Sequence, residues 1–258
     1  MRPYEKNFSK IGKYQNKNSR LWDELFISHK GNSYPHENLV KFVAFLSQKE
    51  HMKDLNALDI GFGCYPNLKM CYEQGYDVFG IEVSRNALNR TKAALRNMKI
   101  PFEGRLFTPP LVPYRDNKFN LIYSHQALYY NLDLEKAVSE IYRTLRPGGA
   151  IYITFFKPNH WYFKYSKKVT DDIAEWSDKH PTRALRGLRL RYFKSRAQLA
   201  KVFKQFKNVR IYEYGSDLLG VKHYMWIVTG YKKGDFRKFD YKKHYKQIGV
   251  SSKKLNSR

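Results

Sequence analysis

Between residues 55 and 156, runs of strand length alternate with amphipathic stretches about five times, and this restricts the fold more than anything else in the chain. LNALDI (55–60), YDVFGIEV (76–83), PFEGRLF (101–107), FNLIYSHQ (119–126) and AIYITFF (150–156) are short, apolar and rich in β-branched or aromatic residues. Helical stretches separate most of them. One ends at Gly75. A second, SRNALNRTKAALRNM, starts at Ser84 as N-cap and sets Ala87, Ala94, Leu95 and Met98 largely on one side. A third, LEKAVSEIYRTL, stops at Arg146-Pro-Gly-Gly, while the proline-rich TPPLVP (108–113) reads as loop. These spacings suit βαβ units, so the expectation is an open, mostly parallel sheet with helices on both faces. AIYITFF, apolar on both faces, reads as a central parallel strand.

The flanks are less regular. Residues 1–20 are polar and read as a loosely ordered segment. SRLWDELFISHKGNSYPHENLVKFVAFLSQK reads as two helices around a Gly-Asn-Ser-Tyr-Pro turn, with Leu39, Phe42, Val43, Phe45 and Leu46 on the apolar face of the second. Beyond the fifth strand, 157–193 reads as an insertion rich in Trp, Tyr and Arg. Then come a helix capped by Ser195 (SRAQLAKVFKQF) and two strand-like runs, NVRIYEY and YMWIVTGYK. The domain is expected over 21–232, followed by a basic tail over 233–258.

At 258 residues and 42% hydrophobic, the chain can bury the core of one large domain. No apolar run approaches the roughly 20 residues of a membrane helix. Cys64 and Cys71 make no disulfide framework and lack histidines at zinc spacing, so no metal site is expected and a cytoplasmic setting is the default. The formal charge is +25, with 26 basic against 8 acidic residues from Lys157 onward and 22 against 15 before it. That imbalance suits a polyanionic partner such as nucleic acid or an anionic membrane surface; lysines scattered over solvated faces would produce it as well. The sequence leaves the oligomeric state open.

The first strand runs into LDIGFGCYPN (58–67). A dinucleotide loop needs G-x-G-x-x-G, and here the third position is Pro66. Asp59 lies two residues before Gly61, where its charge would repel a pyrophosphate and favour a cationic ligand. S-Adenosylmethionine, with an ammonium and a sulfonium, has the right sign. Glu82 ends the second strand about 20 residues past the first glycine, the place of a ribose-binding acid.

With LDIGFG, GIEVS, FNLIYSHQALYYN and LRPGGAIYITFF in this order, the chain resembles the class I S-adenosylmethionine-dependent methyltransferases, in particular the type 11-like small-molecule group, over about 34–156 and more weakly to 232. The resemblance implies a Rossmann-like α/β fold, doubly wound around a seven-stranded sheet whose last strand is antiparallel. It places Asp59, Gly61 and Gly63, with Phe62 between them, at the methionine end of the cofactor. It puts Glu82 on the ribose and Val83 on the adenine, with Leu106 and Phe107 near the adenine amino group. Family members often carry an acid after the glycine ending the third strand; this chain has Arg105 after Gly104. His125 and Gln126 would face the transferable methyl.

Methyl transfer requires alignment and, for a weakly acidic acceptor, a base; His125 is the candidate by position. Tyr129, Tyr130, His160 and Trp161 are the candidate acceptor contacts, with His223 at the rim. Arg183, Arg186, Arg189 and Arg191 in the insertion are candidates for an anionic acceptor. The expected activity is methyl transfer to a small-molecule, glycan or lipid-precursor acceptor. The alternatives are methylation of RNA or another polyanion, and a non-catalytic binding protein of the same fold.

Overall fold

The computed structural model describes residues 17–28, 31–47, 54–107 and 110–234. The expectations for residues 1–16 and for 235–258 fall outside that range. Residues 17–20 correct the expected loose N-terminus, because they already belong to a helix, α1, over 17–28.

Next come α2 (Glu37–Ser47), β1 (Asn56–Ile60), α3 (Pro66–Glu73), β2 (Asp77–Glu82), α4 (Arg85–Asn97), β3 (Phe102–Leu106), β4 (Phe119–Ser124), α5 (Leu134–Thr144) and β5 (Leu145–Phe156). A three-stranded antiparallel sheet follows, formed by β6 (Ser166–Lys168), β7 (Ile173–Trp176) and β8 (Arg189–Arg191). The chain then forms α6 (Arg196–Val202), β9 (Lys207–Ser216) and β10 (His223–Tyr231).

The main sheet has seven strands in the order β3-β2-β1-β4-β5-β10-β9. The first five are mutually parallel, and β10 runs antiparallel to both β5 and β9, as the family resemblance implies for the last strand. Alternating residues divide the core into two layers. On β4, Ile122 joins the layer under α5 and α6, while Leu121 and Tyr123 join the layer under α2, α3 and α4.

Local chemistry fixes the helix starts. Ser84 Oγ accepts from the Ala87 N–H at 3.1 Å, and Ser195 with Gln198 forms a capping box on α6. β5 begins earlier than AIYITFF. Leu145 already pairs with Phe119, and the ladder resumes at Leu121 with Ala150, so Arg146–Gly149 form an irregularity inside the strand rather than a loop before it.

The insertion buries Trp176, Leu188 and Leu190 in the α5-side core. Three of its arginines bind the protein itself. Arg186 Nε donates to the His180 carbonyl and Arg189 Nε to Glu175 at 2.7 Å. Arg191 reaches Glu135, Asp172 and the Leu132 carbonyl. They are therefore not free cations awaiting an anionic acceptor; Arg183 alone of the four lies exposed.

Candidate functional site

Strand order reverses between β1 and β4, and in open α/β sheets a ligand crevice forms beyond the carboxyl ends of the strands at that switch point. A cavity of about 760 Å³ lies there, with walls that include Gly61, Gly63, Glu82, His125 and Gln126. Its size is in the range of small-molecule sites.

The glycine turn is built from close approaches. Gly61 donates its N–H to the Ile81 carbonyl at 2.8 Å and has φ +75°, and a Cβ there would stand 2.3 Å from the Ala127 Cβ. Gly63, at φ +55°, faces the Phe26 ring. Phe62 contributes to the wall, but its ring turns inward, edge-on to Phe102 and against Gly80. Tyr65 is the N-cap residue of α3 and packs with the α2–α4 layer.

Glu82 fastens the turn to β2. Its Oε2 accepts from the Gly63 N–H at 2.8 Å, and Oε1 accepts from the N–H groups of Val83 and Ser84 at 2.7 and 3.0 Å. Burial nevertheless raises its pKa, and the three backbone donors only moderate that shift. Ile81, Val83, Phe107 and Leu128 form an apolar slot beside it.

Two expected contacts are corrected here. Asp59 is not in the cavity wall. Its side chain is buried beneath the turn beside Tyr123, its register partner, and Oδ2 has no hydrogen-bond partner. Burial, with the nearby Glu82 charge adding, pushes its pKa well up. Leu106 is exposed and outside the wall, whereas its neighbour Phe107 lines it. Arg105, at the position of the expected acid, pairs with Glu103 at 2.6 Å and covers the Tyr114 ring at 4.3 Å, in an adjoining groove.

The other half of the cavity is a histidine cluster. His125 stacks on His36 with ring centroids 3.9 Å apart. Its Nδ1 lies 3.4 Å from Thr154 Oγ1, and His36 Nδ1 lies 3.4 Å from the Tyr152 hydroxyl. His223 and Tyr214 complete this side. Burial, helped by the neighbouring imidazoles, brings the His125 pKa down to about 3, and burial lowers those of His36 and His223. Gln126 holds φ +56°, a strained conformation for a residue with a side chain, fixed by its N–H bond to Thr154 Oγ1 at 2.9 Å.

Of the expected acceptor contacts, Tyr130 lines the cavity. Tyr129, His160 and Trp161 do not: Tyr129 is fully buried behind Tyr130 and Phe156, and His160 packs between Phe156 and His223 with Trp161 beside Tyr162. The insertion reaches the cavity instead through Tyr162, Thr182 and Leu185.

Helix α1 and the segment after it are the parts of the site that sequence reasoning missed. Asn18, Trp22, Leu25 and Phe26 line the cavity, as do Asn32, Tyr34 and His36. Asp23 ties α1 to the start of α4, accepting from Ser84 Oγ at 2.7 Å and from the Asn86 N–H at 2.9 Å. Arg90 on α4 donates to the Phe26 carbonyl at 2.7 Å, and Asn18 donates to the carbonyls of Tyr130 and Arg189. Leu21, Trp22, Leu25 and Phe26 are spaced as one apolar helical face, but nothing local in the sequence says what it covers.

Fold and site together define a doubly wound α/β protein with a ligand cavity at the switch point, closed by an N-terminal helix. Residues 58–153 match the family model described as a methyltransferase domain. Phosphoethanolamine N-methyltransferase 2 of Caenorhabditis elegans is 31% identical over 120 residues, 46% of this chain and 27% of the relative. Phosphoethanolamine N-methyltransferase 3 of Arabidopsis thaliana is 29% identical over 136 residues, 52% of this chain and 26% of the relative. The chain thus spans about a quarter of the length of these curated relatives. Among solved structures, an S-adenosylmethionine-dependent methyltransferase from Methanosarcina mazei superposes with a TM-score of 0.59 at 17% identity, over 74% of this chain and 98% of its own. At that identity the likeness shows the fold. No described helix is long and apolar enough to cross a membrane, and no metal-binding cluster occurs among the described residues.

Proposed function

We propose that the chain is an S-adenosylmethionine-dependent methyltransferase acting on a small-molecule acceptor. The observation that carries this reading is the convergence of the Gly61–Gly63 turn, Glu82 and His125 on one cavity at the switch point, within the segment that matches the methyltransferase-domain model. The residues fit the cofactor: Glu82 can meet the ribose hydroxyls while still accepting from the loop, Val83 and Phe107 offer an apolar slot to the adenine, and the turn leaves room at the methionine end. Bound there, the cofactor supplies a methyl carbon activated by positive sulfur.

The chain's own contribution is orientation, exclusion of water and the fate of one proton. If His125 Nδ1–H is donated to Thr154 Oγ1, Nε2 is left to accept from the acceptor. With a pKa near 3 this imidazole is too weak a base to deprotonate an alcohol before attack. It suits an acceptor atom that is nucleophilic on entry, such as a neutral amine or ring nitrogen, and that becomes acidic once methylated.

The relatives' names make phosphoethanolamine the first acceptor to try; glycan and lipid-precursor acceptors belong in the same panel. The test is calorimetric titration with S-adenosylmethionine, followed by methyl transfer from labelled cofactor across that panel. Absence of cofactor binding would overturn the reading, and binding without transfer to any acceptor would favour a non-catalytic protein. The +25 charge supports a second reading, methylation of RNA or another polyanion. It predicts RNA binding that weakens steeply with salt, because phosphate contacts release counterions.

A further inference from the structure

The loop between β9 and β10 presents Leu218 and Leu219 to solvent, 75% and 92% exposed, in a short 3₁₀ turn over Leu218–Gly220. Leu219 also holds φ +58°, ψ +27°, the left-handed region that a leucine rarely adopts. A side chain that is neither buried nor conformationally at ease does nothing for the isolated fold. Val221 beside it is exposed as well.

The topology places this loop at the cavity mouth. β9 runs parallel to β5 and β10 returns antiparallel, with Met225 opposite Phe156 at the carboxyl end of β5. Tyr214 and His223, one on each strand just before and after the loop, line the cavity. Two further exposed apolar residues lie on or beside the cavity wall. Ile27, 69% exposed, adjoins the cavity-lining Phe26, and Tyr34, 83% exposed, is itself part of the wall.

Basic residues flank these tips. Lys222 follows Val221. Arg90 donates to the Ile27 carbonyl, while Arg183 and Lys164 stand exposed on the 3₁₀ turns that carry the cavity residues Leu185 and Tyr162. The acids on the same rim are partly committed: Asp217 is engaged by the Tyr224 hydroxyl and Glu37 by Lys41. Exposed leucine tips with lysines and arginines beside them are the combination that inserts at a headgroup boundary while meeting lipid phosphates.

We infer that the mouth of the cavity docks on an anionic lipid bilayer surface, with Leu218 and Leu219 entering the acyl boundary and the flanking cations on the headgroups. The chain's +25 charge provides the long-range attraction, and docking aims the opening at molecules resident in the bilayer. The inference does not depend on which molecule is methylated.

The test uses the full chain in vesicle sedimentation, with phosphatidylcholine alone and with about 30% phosphatidylglycerol, at low and high salt. Sedimentation is expected with the anionic vesicles only and is lost at high salt. Leu218→Asp with Leu219→Asp is expected to weaken vesicle affinity at least about tenfold while cofactor binding, followed by calorimetry, stays unchanged. Leu219→Gly accepts the left-handed conformation, so it is expected to raise the melting temperature while lowering vesicle affinity. Protein that stays in the supernatant with anionic vesicles overturns the inference. So does equal binding to neutral vesicles, or an aspartate pair that binds as well as the parent. Calorimetry on the same samples reports separately on the cofactor reading.

Discussion

Replacing Glu82 with alanine tests the centre of the site and the integrity of the turn together. The carboxylate accepts three backbone N–H groups, those of Gly63, Val83 and Ser84. Bonds to a charged group are worth about 1.5–3 kcal/mol each, so a simple sum would exceed about 4 kcal/mol. The sum overstates the loss. Burial is the largest influence on Glu82 and raises its pKa, so the three bonds do not fully offset the cost of desolvating the charge. The side chain also borders a cavity from which water can reach the freed N–H groups. The expected destabilisation is therefore about 2–3 kcal/mol, a fall of roughly 4–12 °C in melting temperature for a chain of this size. Glu82→Gln should cost about half as much, because its amide oxygen can serve Val83 and Ser84 while its NH₂ opposes the Gly63 N–H. In thermal melts with and without S-adenosylmethionine, both variants should lose most of the cofactor's stabilising effect. An alanine variant that melts within about a degree of the parent and is still stabilised by cofactor would refute the assignment.

Gly61→Ala should be far more damaging than Gly75→Ala, by about 2–4 against about 1 kcal/mol in urea melts. Both positions have positive φ, but only Gly61 would drive a Cβ against Ala127; nothing lies within 4 Å at Gly75. Acid should destabilise the fold. His125 and His160 have pKa values lowered to about 3, so the folded chain binds fewer protons than the unfolded one between about pH 3 and 6.5. The stability present above pH 6.5 is lost as pH falls, by at most about 2 kcal/mol per histidine at pH 5. Asp59 and Glu82 act in the opposite sense, since their raised pKa values relieve a burial cost as pH falls above about 4; melts of His160→Asn against the parent from pH 5 to 8 isolate the histidine contribution. Arg191→Ala should cost about 1–2 kcal/mol, because its 11%-exposed side chain joins Asp172 in the insertion to Glu135 and Leu132 near the start of α5, while both acids it leaves are solvated. Loss of protection in the small sheet by hydrogen exchange, with the main sheet intact, is the expected signature.

The sheet was legible because its strands carry their own signals. LNALDI, YDVFGIEV and FNLIYSHQ are apolar runs between glycine, proline and capping residues, and each becomes a parallel strand, in the sheet order β2-β1-β4 across the switch point. The cofactor half was legible where a backbone requirement shows in the residue type, as at Gly61 and Gly63. It failed where direction decides. Asp59 occupies the expected place in the chain, but the pleat of β1 turns its carboxyl toward Tyr123 and away from the ligand side. Leu106 and Phe107 differ by the same alternation: one is outside, and the next forms the wall. Tyr129 and His160 were chosen for their neighbours in sequence, yet burial among other rings removes them from the surface of the cavity.

The histidine cluster was hidden for a different reason. His36, His125 and His223 are separated by 89 and 98 residues and share no local pattern. They meet only because α1 and the segment leading into α2 line the cavity at the carboxyl edge of the sheet while β10 inserts beside β5. Neither connection is written in a short motif. The restraints that make it possible are polar and non-local: Asp23 on Ser84, Arg90 on Phe26, and Asn18 between Tyr130 and Arg189. They fix α1 as part of the cavity wall rather than as an appendage. On the proposed reading, the cofactor half of the site is a property of the sheet, and the acceptor half is a property of what is folded over it. The match over 58–153 covers the glycine turn, while His36, Tyr162 and Tyr214 of the cavity wall lie outside the matched segment. Specificity is to be sought in those elements, where exchanging His36 or Tyr214 should alter the acceptor's KM more than the affinity for S-adenosylmethionine.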